Sequence, residues 1–251
     1  LTPDLTEAGI RAKCGDCTLV VFPNGKTMMI DAGYIACSAH IISLLDDLGL
    51  HHLDYFVLSH AHDDHAGGAL AVAQYLYEHG GGIDACYRSS YIASSKQEPL
   101  FEEYLKQKGT HVYENVLAGY QWTVGDVRIT AYHPTTEDLE KCVGNDESVN
   151  NVSILMKFVY GRSKYLTGGD LYIEMEEKLA EQYGDLLKAD VMKSNHHGTY
   201  TSNGQNIGNA LLAEYAVEHG IKYYSAGIQG LILLRMSRIE YEIQCQTGDC
   251  L

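Results

Sequence analysis

A chain of 251 residues with 45% hydrophobic and 20% charged side chains has material for one sizeable core, and no stretch of it is long and apolar enough to span a bilayer. Eighteen basic against thirty-three acidic side chains leave a formal charge of -15, which opposes broad docking of a polyanion and sets aside long duplex nucleic acid as a partner. Small-molecule substrates fit this balance, a phosphate ester among them, because bound divalent cations make one acidic cleft locally attractive to phosphate. The opening Leu1-Thr2-Pro3-Asp4 has neither the basic stretch nor the apolar core of a signal peptide, and compartment and oligomeric state stay open. The seven cysteines, Cys14, Cys17, Cys37, Cys86, Cys142, Cys245 and Cys250, are odd in number and scattered, so they predict reduced thiols rather than a disulfide framework. Cys14 and Cys17 form a C-x-x-C without a second pair, read as packing with a local disulfide as the alternative.

The chain shows no repeat, low-complexity tract or linker, so residues 1–251 read as a single domain. A strand at Thr18 to Phe22, the turn Pro23-Asn24-Gly25-Lys26 and a strand at Met28 to Asp31 make a hairpin by their turn chemistry. Apolar residues at Ile41, Ile42, Leu44, Leu45 and Leu48 predict a helix from Ala39 to Leu48, ended by Gly49. A short strand, Leu53 to Leu58, runs into Ser59-His60-Ala61-His62-Asp63-Asp64-His65, and Gly67-Gly68 precedes a helix from Ala69 to about His79. Strands are predicted at Val127 to Tyr132 and Val152 to Tyr160, then a turn at Gly161-Arg162-Ser163-Lys164 and a strand from Tyr165 to Thr167 that leads to Gly168-Gly169-Asp170. After a helix from Ile173 to Gln182, a strand from Ala189 to Lys193 delivers Ser194-Asn195-His196-His197-Gly198, and Ser202 to Asn209 runs into a last helix, Ala210 to His219. Strands feeding polar loops, separated by helices, predict a layered α/β fold whose site collects at one edge of the sheets.

The strongest chemical signal is His60-Ala61-His62-Asp63-Asp64-His65. Imidazole and carboxylate suit zinc, with manganese or iron as other metals for this donor set; alternating positions on an extended loop let His60 and His62 point to one ion while Asp64 and His65 turn toward another. A solvated histidine-rich turn is the bland alternative, but burying so many polar groups at the end of an apolar strand is costly without a partner. Gly80-Gly81-Gly82 and Gly168-Gly169 lack the spacing of a phosphate-cradling loop, and no Ser-His-Asp arrangement competes.

On these residues the chain resembles the metallo-β-lactamase superfamily, and within it the hydrolase domain of ComEC-type DNA-uptake proteins and the bacterial phosphorylcholine esterases. The resemblance runs over nearly the whole chain: Gly15-Asp16-Cys17-Thr18, the hairpin from Pro23 to Gly33, the histidine loop, Asn150 to Leu155, Gly168-Gly169-Asp170 and Lys193 to Gly198 follow in the family's order. It implies a four-layered αββα sandwich binding one or two zinc ions. His60, His62, Asp64, His65, Asp170 and His197 would be the metal ligands, with Asp170 bridging. Either histidine of the pair at 196 and 197 would complete the second ion; His197 is assigned to the metal, and His196, over the substrate, to catalysis with Asp64. Asp31 resembles the buried aspartate that braces the histidine loop, the alternative being a turn carboxylate capping backbone amides.

Two departures stand out. The nearest candidate for a third histidine at the first ion is His133, a lone strand-end residue that ordinarily packs rather than ligates. Beyond His197 the relatives continue through a further strand and polar turn, whereas here Asn209 stands about where their histidine would, which predicts a shortened site wall and a partly occupied second metal. The expected activity is a metallo-hydrolase, foremost a phosphodiesterase attacking through a metal-bound hydroxide. The alternatives are a lactone, ester or amide hydrolase on the same site, or a metal-binding module with a degenerate site.

Overall fold

The computed structural model describes residues 15–89, 96–199, 201–202 and 232–245. The predicted hairpin forms from β1 (Thr18–Val21) and β2 (Thr27–Ile30), with Thr18 opposite Ile30. Then follow α1 (Ser38–Asp47), β3 (His52–Val57), the single turn α2 (Asp63–Ala66), α3 (Ala69–Glu78), β4 (Gly82–Tyr87), α4 (Gln97–Lys108) and β5 (His111–Tyr113). These strands form one sheet in the order β1-β2-β3-β4-β5, parallel from β2 onward. The chain continues with β6 (Gln121–Val124), β7 (Val127–His133), α5 (Thr136–Lys141), α6 (Asp146–Asn150), β8 (Leu155–Tyr160), β9 (Ser163–Thr167), α7 (Ile173–Tyr183) and β10 (Val191–Met192). Here the sheet order is β10-β9-β8-β7-β6, antiparallel except for β10 beside β9. A separate hairpin joins β11 (Ile232–Met236) to β12 (Tyr241–Cys245).

Alternation along the strands builds the layers. On β2, Met29 packs with Ile41 and Leu45 of α1 and with Leu53 and Phe56 of β3, while its neighbours Met28 and Ile30 join Val57, Val124, Ile129, Met156 and Phe158 between the two sheets. Phe56 meets Phe101 of α4 at a ring separation of 4.9 Å. The far face of the second sheet buries Leu155 and Leu166 with Leu179 of α7. Each such side chain contributes roughly 1.5–3 kcal/mol on burial. The result is the expected four-layered αββα sandwich, with one apolar seam per interface. No helix among the described residues is long and apolar enough to cross a membrane.

Several boundaries differ from the periodicity. Strand β8 starts at Leu155, not Val152, because Asn145 caps the short α6 and the chain turns through 150–153, where Ser153 N–H donates to Asn150 O at 3.0 Å. Of the strand expected from Ala189 to Lys193, only Val191–Met192 pairs, at the sheet edge. Helix α4 is hard to read because its buried positions include Glu98, paired with Arg88, beside only Phe101 and Leu105. Cys17, Cys86 and Cys142 carry free thiols, and burial pushes those of Cys17 and Cys86 up to about 12. Cys14, Cys250, Asn209 and the helix expected from Ala210 to His219 lie outside the described residues.

Thr135 caps α5 and shares a capping box with Asp138, whose carboxylate also accepts from Lys178 of α7 at 2.7 Å. Burial works to raise the Asp138 pKa, but Lys178 and Thr135 outweigh it and hold it at about 2. A folded value below the unfolded one means a contribution complete above about pH 4 and lost as pH falls toward 2. Asp138→Asn should therefore lower the unfolding free energy by about 1–3 kcal/mol at pH 7, a gap that narrows to less than about half at pH 2.5. Urea denaturation at the two pH values reads this; an equal gap at both would contradict it.

Candidate metal centre

Parallel strands end at the same edge, so their C-terminal loops meet there. Beyond β3 the chain bends at Ser59 and passes without regular structure through His60 to an extended His62, then turns helically through α2. This corrects the expectation of one extended loop: the helical turn carries Asp64 toward His197 and His65 toward Asp170, while the His65 ring stays 4.1 Å from that of His60. β2 delivers Asp31, β9 delivers Asp170, and β10 delivers His197. Because β1 is antiparallel to β2, its beginning lies beside the end of β2, which brings Asp16 to the same edge.

Two groups of donor atoms result. His60 Nε2 and His62 Nδ1 lie 3.1 Å apart. Beside them, His65 Nε2 is 3.1 Å from Asp170 Oδ2, and His197 Nε2 is 3.2 Å from both Asp170 Oδ2 and Asp64 Oδ2. Tetrahedral zinc with nitrogen and oxygen ligands at about 2.0–2.1 Å sets its ligand atoms about 3.3–3.4 Å apart, so the second group has the spacing of a coordination shell. His65 Nε2 and Asp170 Oδ1 are buried and make no hydrogen bond among the described residues, as donors kept for a cation would be.

Asp31 fixes the ring orientations. Its Oδ1 accepts from Ser59 N at 2.8 Å, and its Oδ2 accepts from Ser59 Oγ at 2.7 Å and from His65 Nδ1 at 2.8 Å. Since the Ser59 hydroxyl proton goes to Asp31, its oxygen accepts from His60 Nδ1, 3.1 Å away. One carboxylate thereby turns the Nε2 edges of both His60 and His65 toward the donor cluster. Backbone conformation marks the same residues: among the described residues, only Asp31, His196 and His197 are non-glycine at positive φ, at 60°, 47° and 56°. Such strain persists where surrounding contacts over-determine it, and here all three cases fall at one site. Gly169, at φ +55°, is needed for space as well, since a Cβ there would press on the Ser153 and Ser59 hydroxyls.

Charge completes the case for a cation. Asp16, Asp31, Asp64 and Asp170 converge with one ammonium, Lys193. Without a bound cation, compensating charge comes from protons on the histidines. Burial works to lower the His65 pKa, yet Asp170 and Asp31 raise it well above its usual value. His197 is likewise opposed by burial but is raised to about 12 by its bonds to Asp16, Asp170 and Asp64. Asp64 is held at about 2 and Asp170 well below the usual carboxylate range, both against the burial that would raise them, by His197 and His65.

Of the residues singled out in the sequence, His60, His62, Asp64, His65, Asp170 and His197 gather here, and Asp31 sits behind them. His196 stands apart: its Nδ1 lies 2.6 Å from Thr201 Oγ1 and 2.9 Å from Thr199 Oγ1, and its ring stacks on Tyr172 at 5.0 Å. His133 is fully buried and donates from Nε2 to Asn151 O at 2.7 Å, so it packs rather than ligates. His65, Asp170 and His197 gather at the second position without Asn209, and Asp64 joins them through its 3.2 Å contact with His197 Nε2. The missed residue is Asp16, whose carboxylate lies within 4.8 Å of ring and carboxylate donors of His65, Asp170 and His197 and contacts the Nδ1 edge of His197. The hairpin register was the signal that could have found it, since pairing Thr18 with Ile30 sets Gly15-Asp16 beside Asp31.

Comparison with known proteins agrees with this geometry. The metallo-beta-lactamase superfamily model matches residues 14–82. Competence protein ComA of Neisseria gonorrhoeae is 29% identical over 201 residues, covering 80% of this chain and 25% of that protein. ComE operon protein 3 of Bacillus subtilis (strain 168) is 26% identical over 167 residues, covering 66% and 20%. The chain thus spans a quarter or less of the curated relatives it matches. Among solved structures, a Cronobacter sakazakii metallo-beta-lactamase with the HARLDQ motif superposes with a TM-score of 0.50 at 17% identity, over 86% of this chain and 83% of that one. With the αββα sandwich and the histidine loop both in place, the chain has the metallo-beta-lactamase fold, and its residues 14–82 match the metallo-beta-lactamase superfamily model.

Proposed function

We propose that the domain is a two-metal hydrolase of phosphodiesters. The observation that carries the metal-dependent part is the convergence of Asp64, His65, Asp170 and His197 at 3.1–3.2 Å beside His60 and His62. Zinc, manganese or iron would supply an activated water at neutral pH and positive charge against the developing negative charge on the electrophile. His60 and His62 would hold one ion and Asp64, His65 and His197 the other, with Asp170 available to both. Asp64, with its pKa held at about 2, stays ionised and is able to orient the attacking water. His196, outside the donor cluster and with its Nδ1 engaged by the threonines, would use its remaining nitrogen toward the leaving group.

A phosphodiester is favoured over a carbonyl substrate by the resemblance of the Asn150 to Leu155, Gly168-Gly169-Asp170 and Lys193 to Gly198 segments to enzymes of that chemistry, and the charge of -15 favours a small ester over a long duplex. Elemental analysis of untagged protein, run beside hydrolysis of bis(p-nitrophenyl) phosphate, a lactone and a β-lactam with and without added Zn or Mn, tests this. Two ions per chain with metal-dependent phosphodiester turnover is the expected result. Turnover confined to the lactone or β-lactam would move the substrate class, and one ion or none without turnover would mean a metal-binding module.

A further inference from the structure

We infer that Asp16 and Lys193 form a brace that aims His197 at the second metal position. This inference rests on the two-metal reading above and extends it to residues outside the ligand set. Asp16 Oδ1 lies 3.2 Å from His197 Nδ1, and Asp16 Oδ2 lies 2.5 Å from Lys193 Nζ. The imidazole has its two nitrogens on different edges: Nε2 faces Asp64 and Asp170, and Nδ1 faces Asp16. Asp16 therefore stands behind the ring with respect to the donor cluster. A carboxylate accepting Nδ1–H leaves the Nε2 lone pair for a cation, and the lysine offsets the extra negative charge that this carboxylate brings.

The brace also ties distant parts of the chain together. Asp16 N–H donates to Asp64 O at 2.9 Å, and Gly33 N–H donates to Asp16 O at 2.8 Å, so the segment is clamped to both the ligand loop and the end of β2. Gly15, at φ +67°, allows that approach, because a Cβ there would collide with the Asp64 carbonyl. At the other end, Lys193 Nζ donates to Ser194 O at 3.1 Å and reaches Gly169 O, next to Asp170, at 3.4 Å. His197 sits at φ 56° on a strained turn, where its ring has no regular element to hold it. The Asp16–Lys193 pair supplies what secondary structure does not.

The test is stepwise metal titration of the full chain by calorimetry and elemental analysis, for the wild type, Asp16→Asn, Lys193→Met, His197→Ala and the Asp16→Asn/His197→Ala double variant. Thermal melts of the metal-free proteins establish that each is folded. Asp16→Asn and Lys193→Met should weaken one of two ions about 10–100-fold and leave the other unchanged. His197→Ala should weaken that same ion, and adding Asp16→Asn to it should change nothing further, because the brace acts through the ring. Wild-type affinity for both ions in Asp16→Asn, or additive losses in the double variant, would overturn the brace. If the wild type binds fewer than two ions, the two-metal reading is what fails. The brace is then judged by 15N spectra of the metal-free protein, in which Asp16→Asn should shift the His197 Nδ1 resonance, and an unshifted resonance overturns it.

Discussion

Asp170→Ala should reduce metal-dependent turnover by at least about a thousandfold, several kcal/mol of transition-state stabilisation, while the metal-free protein unfolds within a few degrees of the wild type. Asp170 Oδ2 lies 3.1 Å from His65 Nε2 and 3.2 Å from His197 Nε2, and its Oδ1 makes no hydrogen bond among the described residues. Its side chain is buried, so the loss of its pairs with His65 and His197 is offset in the metal-free state by relief of its own desolvation and by release of the protons it holds on those rings. The backbone anchor survives, because Asp170 N–H donates to Ser153 Oγ at 3.1 Å whatever the side chain. The measurement is thermal unfolding with and without metal alongside turnover. At a metal concentration about a hundredfold above Kd, the wild type gains about 2.7 kcal/mol, on the order of 5–10 °C, and Asp170→Ala should gain almost none of it. A variant that retains both turnover and the metal-induced shift would sink the bridging role.

How much of this could be read from the residues depends on where each one's signal is stored. The histidine loop was legible because its donors are adjacent in sequence and follow an apolar strand, so local pattern and chemistry coincide. Asp170 and His197 were legible as polar strand ends whose order matches the family. The hairpin and helices α1 and α3 showed regular apolar spacing, and their boundaries hold to within a residue or two. What escaped is what depends on pairing between distant segments. Asp16 gains its place from the antiparallel register of β1 on β2 and from a lysine and histidine near residue 195. Strand β10 is two residues long because it pairs only at an edge, and a periodic reading has no access to that. His133 lies beside Asp138 in the fold, with Nδ1 3.4 Å from Oδ2, and bonds through Nε2 to Asn151, so a histidine that resembled a stray ligand is a packed polar residue.

Asp31→Ala is expected to give the opposite signature from Asp170→Ala: a loss of about 3–5 kcal/mol in the metal-free protein, about 10 °C or more in the unfolding midpoint. Both carboxylates lie within reach of His65, one on each edge of its ring, yet their surroundings differ. Asp31 is satisfied on both oxygens by three protein donors, Ser59 N, Ser59 Oγ and His65 Nδ1. Truncation leaves those donors buried without an acceptor, at a cost of about 1–3 kcal/mol for each group left unsatisfied, and puts alanine at a φ of 60° that it disfavours. Asp31→Asn separates structure from tautomer. Asparagine tolerates the left-handed conformation and keeps a carbonyl for Ser59, but its amide presents a donor where His65 Nδ1–H needs an acceptor. That variant should fold, lose about 10–100-fold in metal affinity, and be distinguished from Asp31→Ala by urea denaturation of the metal-free protein. If Asp31→Ala unfolds with the wild type and Asp31→Asn binds metal normally, the carboxylate is a turn cap and the loop is held by something else.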